Sequence, residues 1–306
     1  MPSRSGPNEA STPQRASKGA RILPQWVSTT ALLLPAYGWL TLAVFLPLLT
    51  MFLFSFMNKT PMGKAPIEFT LRHYRAFIDQ PYLIKIATNT LLMGLWTTLA
   101  CAVLGFLAAL ALVRCTTGAR RETLLILILL PFWTNGLVRV FSWTMVLREN
   151  GFLDNIWHWI APAAGSIAIL YSREAIVIGL VHGYLPYMIL TCYIALVTID
   201  DAIIEAAQSL GARWWVILTK ILIPLAAPGL ISGAVLTFVP VIGSFMEPRI
   251  LGGKVGVTMG TVIEDQFTQA FNWPLGASLS FTLLAVTMAI FATFSGVLRR
   301  GSGGTA

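Results

Sequence analysis

Apolar residues along this chain are gathered into blocks rather than alternated with polar ones. Six blocks stand out: Ala31–Met57, Ile86–Val113, Thr123–Leu147, Ala175–Ile199, Leu225–Met246 and Leu275–Leu298. Each approaches the ~20 apolar residues that a helix needs to cross a hydrocarbon layer about 30 Å thick. The pattern predicts an all-α integral membrane protein with six transmembrane helices. Pro35 and Pro47 in the first block, and Pro131 with Asn135-Gly136 in the third, mark expected kinks or interruptions, because proline removes a backbone donor and crowds the preceding turn. Three connections between blocks are long: Asn58–Lys85, Arg148–Arg173 and Glu247–Pro274. Within the second, Phe152–Ile160 sets Ile156, Trp157 and Trp159 beside Asp154 and His158, as expected of a short helix lying in the headgroup zone.

Composition rules out the soluble alternatives. Hydrophobic residues make up 56% of the chain and charged residues 11%, against about 25% charged in soluble domains. Mean hydropathy is +0.73. A formal net charge of +8 would suggest nucleic acid in a soluble protein, but here the basic residues sit at block ends, where the positive-inside rule accounts for them. The lipid bilayer is the expected environment, with no nucleic acid as partner. Arg114, Arg120 and Arg121 fill one short loop and Arg299-Arg300 close the last block, so both termini, that loop and the Asp200–Lys220 segment are expected in the cytoplasm. Lys59, Lys64, Arg72, Arg75 and Lys85 fall in the first external connection and run against this bias. Residues 1–28, with Arg4, Arg15, Lys18 and Arg21, read as a disordered cytoplasmic tail without the apolar stretch of a signal peptide. Residues 29–300 read as the transmembrane domain and 301–306 as a short cytoplasmic tail. The three cysteines, Cys101, Cys115 and Cys192, lack CxxC spacing, and there are only three histidines, so no disulfide framework or metal site is expected.

One cytoplasmic connection differs from the others. From Asp200 to Pro224 it reads as helix, turn, helix. Asp200 and Asp201 suit a helix start, Glu205, Ala206 and Ala207 are strong helix formers, and Gly211 suits a left-handed position after the helix. Trp214–Leu222 can restart a helix, which Pro224 is expected to end. Small Ala206 and Ala207 leave room for a partner to approach closely. The spacing Glu205-Ala206-Ala207, Gly211, Ile221 and Pro224 resembles the signature of ABC-importer permeases, Glu-Ala-Ala, three residues, Gly, nine residues, Ile-x-Leu-Pro, with Ile223 in place of the leucine. The resemblance implies that these residues couple the membrane helices to a separate ATPase subunit, present as a dimer, which binds ATP and magnesium. This chain carries no Gly-x-x-x-x-Gly-Lys-Ser/Thr loop, so it is expected to bind no cofactor and to be no enzyme itself.

Further stretches narrow the branch. Pro131–Trp143, Asn150–Asn155, Gly243–Gly253 and Asn272-Trp273-Pro274 look like the spermidine/putrescine-type permeases of type I importers. That resemblance implies half of a translocation pathway, completed by a second, different permease subunit and fed by an extracytoplasmic solute-binding protein docked on the external loops. Where polyamine permeases read Gly-Glu-Phe-x-x-Pro-Glu after the fifth helix, this chain has Ser244, then an acid at Glu247, then Arg249. A polycation site favours carboxylates, so the solute is left as a polyamine or a related amine or amino acid.

Candidate pathway residues follow from this region and from the third block. Arg139 is an intramembrane cation, costly unless it has a role; contact with a ligand, pairing with Glu247 and capping of broken backbone near Asn135 all fit. Glu247 fits either a cationic ligand or a salt bridge with Arg249 or Arg139. Trp133, Phe141 and Trp143 fit an aromatic wall for an amine or simple packing and interface anchoring. His182 fits a hydrogen-bonded packing histidine better than a proton relay. No nucleophile–base constellation is present. The competing class is an ion-coupled secondary transporter, which would show internal repeats and intramembrane carboxylates; neither is evident in the sequence.

Overall fold

The computed structural model describes residues 25–61, 68–161, 165–167 and 169–302, with 25–32 and 293–302 as backbone only. In chain order the helices are α1 Gln25–Phe54, α2 Arg72–Asp79, α3 Pro81–Cys115, α4 Gly118–Leu129, α5 Gly136–Leu147, α6 Phe152–Ile160, α7 Arg173–Val197, α8 Asp201–Ser209, α9 Trp214–Ile217, α10 Ile223–Gly243, α11 Met246–Leu251, α12 Met259–Thr268 and α13 Trp273–Ser302. Short 3-10 turns cover Leu130–Trp133 and Gly253–Val255, and a π-turn covers Leu218–Leu222. Among the described residues there is no strand, only an isolated bridge between Met57 and Phe69.

Among the described residues, five helices are long and apolar enough to cross a membrane: Leu33–Phe54, Pro81–Cys115, Arg173–Val197, Trp214–Gly243 and Trp273–Ala292. The sixth expected span is not one straight helix. Its two halves meet at a 92° bend between Trp133 and Gly136. The cause is local. Pro131 lacks a donor, Thr134 is extended at ψ 152, and the Asn135 side chain restarts the chain by accepting from Leu137 N at 2.8 Å.

Two boundaries also shift. The first helix begins at Gln25, inside the stretch read as tail; residues 1–24 lie outside the described residues. The last helix runs to Ser302, so only 303–306 of the expected C-terminal tail remain, and these too lie outside the description. α1 as far as Thr50 forms one compact unit and the chain from Met51 a second. In the first unit, Tyr37, Trp39 and Phe45 are widely exposed, and Pro35 and Pro47 are both accommodated within the continuous helix.

The second unit is built on α3, α7 and α10. In lipid, helices associate by close van der Waals packing at small residues, and the sequence supplies them. A Cβ on Gly229 would lie 2.5 Å from Ala195 Cβ and 2.6 Å from Thr191 O, so α10 is pressed against α7. A Cβ on Gly105 would lie 2.6 Å from Met188 Cγ, which presses α3 against the same helix. The resulting core includes Cys101, Phe106, Leu110, Met188, Cys192 and Leu222. Cys101 and Cys192 are free and buried, as expected of small apolar residues.

Outside this trio, α6 occupies Phe152–Ile160 as expected, with Phe152, Trp159 and Ile160 exposed. Asp154 is its buried residue and ties the adjoining loop. Its carboxylate accepts from Asn150 N, Ser166 Oγ and Ile167 N, each at 2.9 Å.

Candidate functional site

The end of the bundle formed by residues 200–224 carries a two-faced helix. Asp200 Oδ1 accepts from Ala202 N at 2.9 Å and starts α8. Asp201, in the first turn, pairs with Arg114 at the end of α3. At the other end Gly211 takes φ +77, a left-handed geometry that glycine adopts without the usual Cβ penalty. Gly211 N then donates to Gln208 O at 2.8 Å and Ala212 N to Ala207 O at 3.0 Å. These two bonds satisfy carbonyls that the helix end would leave free. Ile204 is buried and, with partly buried Ala207 and Ala212, joins the cluster that holds Leu112 and Leu196. The other side is bare: Glu205 and Ala206 are exposed, as are Leu210 at 89% and Trp215 at 72%. Apolar side chains at that exposure on a well-capped helix suit a protein partner rather than water.

Pro224 does not end the second helix of this segment. α9 passes into the π-turn and then α10 without a stop, as one span from Trp214 to Gly243. The local feature is the wide turn: Ile223 N donates to Leu218 O, five residues back, and Pro224 falls in the first turn of the α-helical stretch that follows, a position where proline is tolerated. Ile221 packs on the core cluster, while Ile223 is 38% exposed.

At the opposite end, α10 stops at Gly243 and Ser244 turns the backbone to ψ 137. The segment read as a long connection is therefore mostly helical, as α11 and α12. Glu247, on α11, is buried at 8% exposure. Its Oε2 accepts from the Ser244 hydroxyl. α11 lies over the glycine face of α7: a Cβ on Gly179 would lie 3.7 Å from Glu247 Cγ, and one on Gly183 would lie 3.9 Å from Glu247 Oε1 and 3.5 Å from Arg139 Nη2. Arg139 thus reaches the same glycine from α5. It does not cap the break, since Asn135 does that with its own side chain. One turn along α5, Trp143 Nε1 donates to His182 Nδ1 at 3.2 Å, which places the proton of a neutral His182 on Nε2 and fits the packing role. A cavity of about 340 Å³ opens here, lined by Thr134, Val138, Arg139, Ser142, Trp143 and His182.

The remaining candidates separate. Arg249 does not pair with Glu247; its Nη2 binds Glu264 and, at 2.6 Å, Asp265 Oδ1 on α12. The hydrogen bond to Asp265, then that to Glu264, holds its guanidinium above the ordinary arginine value. Trp133 is 88% exposed and Phe141 54%, whereas the Trp143 ring meets His182 edge to face at 5.5 Å. Glu264 and Asp265 were not singled out from the sequence. Their signal was adjacent acids within Met259–Thr268, a stretch whose Thr258 side chain accepts from Thr261 N to start the helix.

Among the described residues no group of three metal-ligating side chains occurs.

Comparison with known proteins agrees across sequence and fold. The family described as "Binding-protein-dependent transport system inner membrane component" matches residues 20–300. The Escherichia coli K12 protein named "Spermidine/putrescine transport system permease protein PotB" is 36% identical over 249 residues, 81% of this chain and 90% of that protein. Its Haemophilus influenzae namesake is 32% identical over 83% of this chain and 88% of its own length. Among solved structures, a bacterial alginate ABC transporter in complex with alginate pentasaccharide-bound periplasmic protein superposes with a TM-score of 0.72, covering 90% of this chain and 95% of that one at 18% identity.

Proposed function

We propose, from the premise that this chain belongs to the binding-protein-dependent transport system inner membrane components, that it forms half of a translocation pathway for a polyamine or a related small amine. It is a multi-pass permease subunit of an ABC importer in the inner membrane. In this reading two ATPase subunits, which hold ATP and magnesium, power the cycle, and one of them receives residues 200–224. Glu205, Ala206, Ala207 and Gly211 present the docking helix, and Ile221 and Pro224 root it. A second, different permease supplies the other docking segment. An extracytoplasmic binding protein delivers solute to the external connections, and both termini face the cytoplasm.

The observation that carries this reading is α8: capped at both ends, exposed on one side, and rooted on the other in the core shared by α3, α7 and α10. Force applied to the exposed face has a packed apolar route into the membrane, which is what a two-state alternating-access device requires. The amine reading draws support from the PotB relatives and from the buried Glu247 carboxylate. An ammonium group is stabilised by such an opposite charge at short range in a low-dielectric site.

Glu205→Lys in the assembled transporter tests the coupling role. Uptake into proteoliposomes should fall about tenfold or more, within the range of a coupling energy of 1–3 kcal/mol, while the subunits still co-purify. Undiminished uptake would reject it. For the solute, spermidine or putrescine should raise the Tm of the cognate binding protein. A shift with amino acids alone would reject the amine reading.

A further inference from the structure

Arg139 and Glu247 approach one glycine from two sides. Among the described residues no ion pair joins them, and the Arg139 guanidinium has no acceptor. Arginine carries five donors in a rigid fork, and a charge held at membrane depth is costly unless it meets a counter-charge. Its place makes matters worse, for Arg139 is the fourth residue of α5, near a helix start where the macrodipole favours anions. On the other side, Glu247 engages only Oε2, with Ser244. Its Oε1 lies 3.9 Å from the point a Cβ on Gly183 would occupy, and Nη2 of Arg139 lies 3.5 Å from that same point. The residue between them has no side chain.

We propose that Arg139 is a built-in competitor for the transported amine. Resting on the amine reading above, the proposal is that the guanidinium closes across Gly183 onto Glu247 when the pathway is empty. An incoming ammonium group displaces it, and on release Arg139 takes the carboxylate back. One carboxylate serves two cations in turn, so the site stays weak enough to let its solute go. Gly183 is the gap that permits closure. Its replacement by alanine places a methyl at ordinary contact distance from both groups, 3.5 Å and 3.9 Å, and so crowds the space the guanidinium crosses without disturbing the backbone.

Two measurements on the assembled transporter in nanodiscs decide this. The first uses no solute: Tm values of Arg139→Gln, Glu247→Gln and the double variant form a cycle. Closure predicts that the double variant loses less than the sum of the single losses; additive losses, the behaviour of independent sites, overturn it. The second is uptake of spermidine or putrescine with the binding protein saturating. Arg139→Gln and Gly183→Ala should each lower KM by about fivefold or more, the lower end of typical coupling, and lower kcat as release slows. Unchanged KM in both overturns the competition. If the wild-type transporter moves no amine at all, the amine reading falls, and the solute-free cycle still decides whether the pair closes.

Discussion

The two ends of this permease are packed in different ways. At the end that carries α8, side chains from α3, α7, α8, the π-turn and α10 form one continuous apolar cluster that includes Leu112, Leu196, Ile204 and Leu222. At the opposite end the apolar residues fall into three smaller groups, around Val140 and Leu251, around Leu83 and Met259, and around Leu180 and Val241. Polar contacts run between them. Thr90 Oγ1 accepts from Met259 N at 3.0 Å, Ser244 binds Glu247, and Arg249 bridges to α12. A close-packed apolar block transmits displacement and resists deformation. A divided end joined by hydrogen bonds can part along its seams and satisfy the same groups with water or solute. The end that carries α8 is thus built to move as a piece, and the opposite end holds the seams along which it can part.

The sharpest way to break this contrast is to jam the outer seam. A side chain on Gly260 would run into the Ser244 carbonyl and lie 2.8 Å from Gly243 O. Gly260→Val should destabilise by about 1–3 kcal/mol, as overpacking does, and shows as a lowered Tm and lost uptake. Gly243→Ala, where nothing lies within 4 Å, should stay near wild type. If the two variants behave alike, the seam is not tight. Next is the end that carries α8. Gly211→Ala forces a Cβ into the left-handed region at φ +77 and should cost about 1–2 kcal/mol. Because only the helix end is affected, uptake and ATPase stimulation should drop more than global Tm; the reverse order would deny that α8 transmits force. The smallest effect is expected at Arg249→Gln. That side chain is 41% exposed, so its bridge is worth about 0–1 kcal/mol. Raising salt should erase the difference in Tm from wild type, and a difference that survives high salt would make the bridge more than a surface clamp.

Much of the fold was legible because membrane physics leaves few options: blocks of apolar residues must be helices. The helix and turn from Asp200 to Gly211 were legible as well, since Asp200, Gly211 and the small residues between them act through local geometry. The bend at Thr134 was visible only as Pro131 and Asn135-Gly136, which mark an interruption without giving its angle. Pro224 misled because its tolerance depends on a wide turn one step earlier, and no single residue type encodes that turn. The convergence of Arg139, Gly183 and Glu247 joins three elements far apart in sequence. Charge singled out the first and last, but the glycine between them becomes visible only when α7 is packed. Glu264 and Asp265 were overlooked because their stretch was read as a loop.

The wide turn at Leu218–Leu222 has one more consequence, which concerns phase. An α-helix advances about 100° per residue, and a π-turn accommodates one additional residue without breaking the rod. The azimuth at which Trp214 and Trp215 emerge is therefore offset from that of α10 by this single insertion. Deleting one residue there would keep every helix and every apolar side chain type, yet turn the face that carries Trp214 and Trp215 about a quarter of the way around the axis. Spacing in this segment is a rotational setting, and the number of residues between Gly211 and Pro224 fixes it.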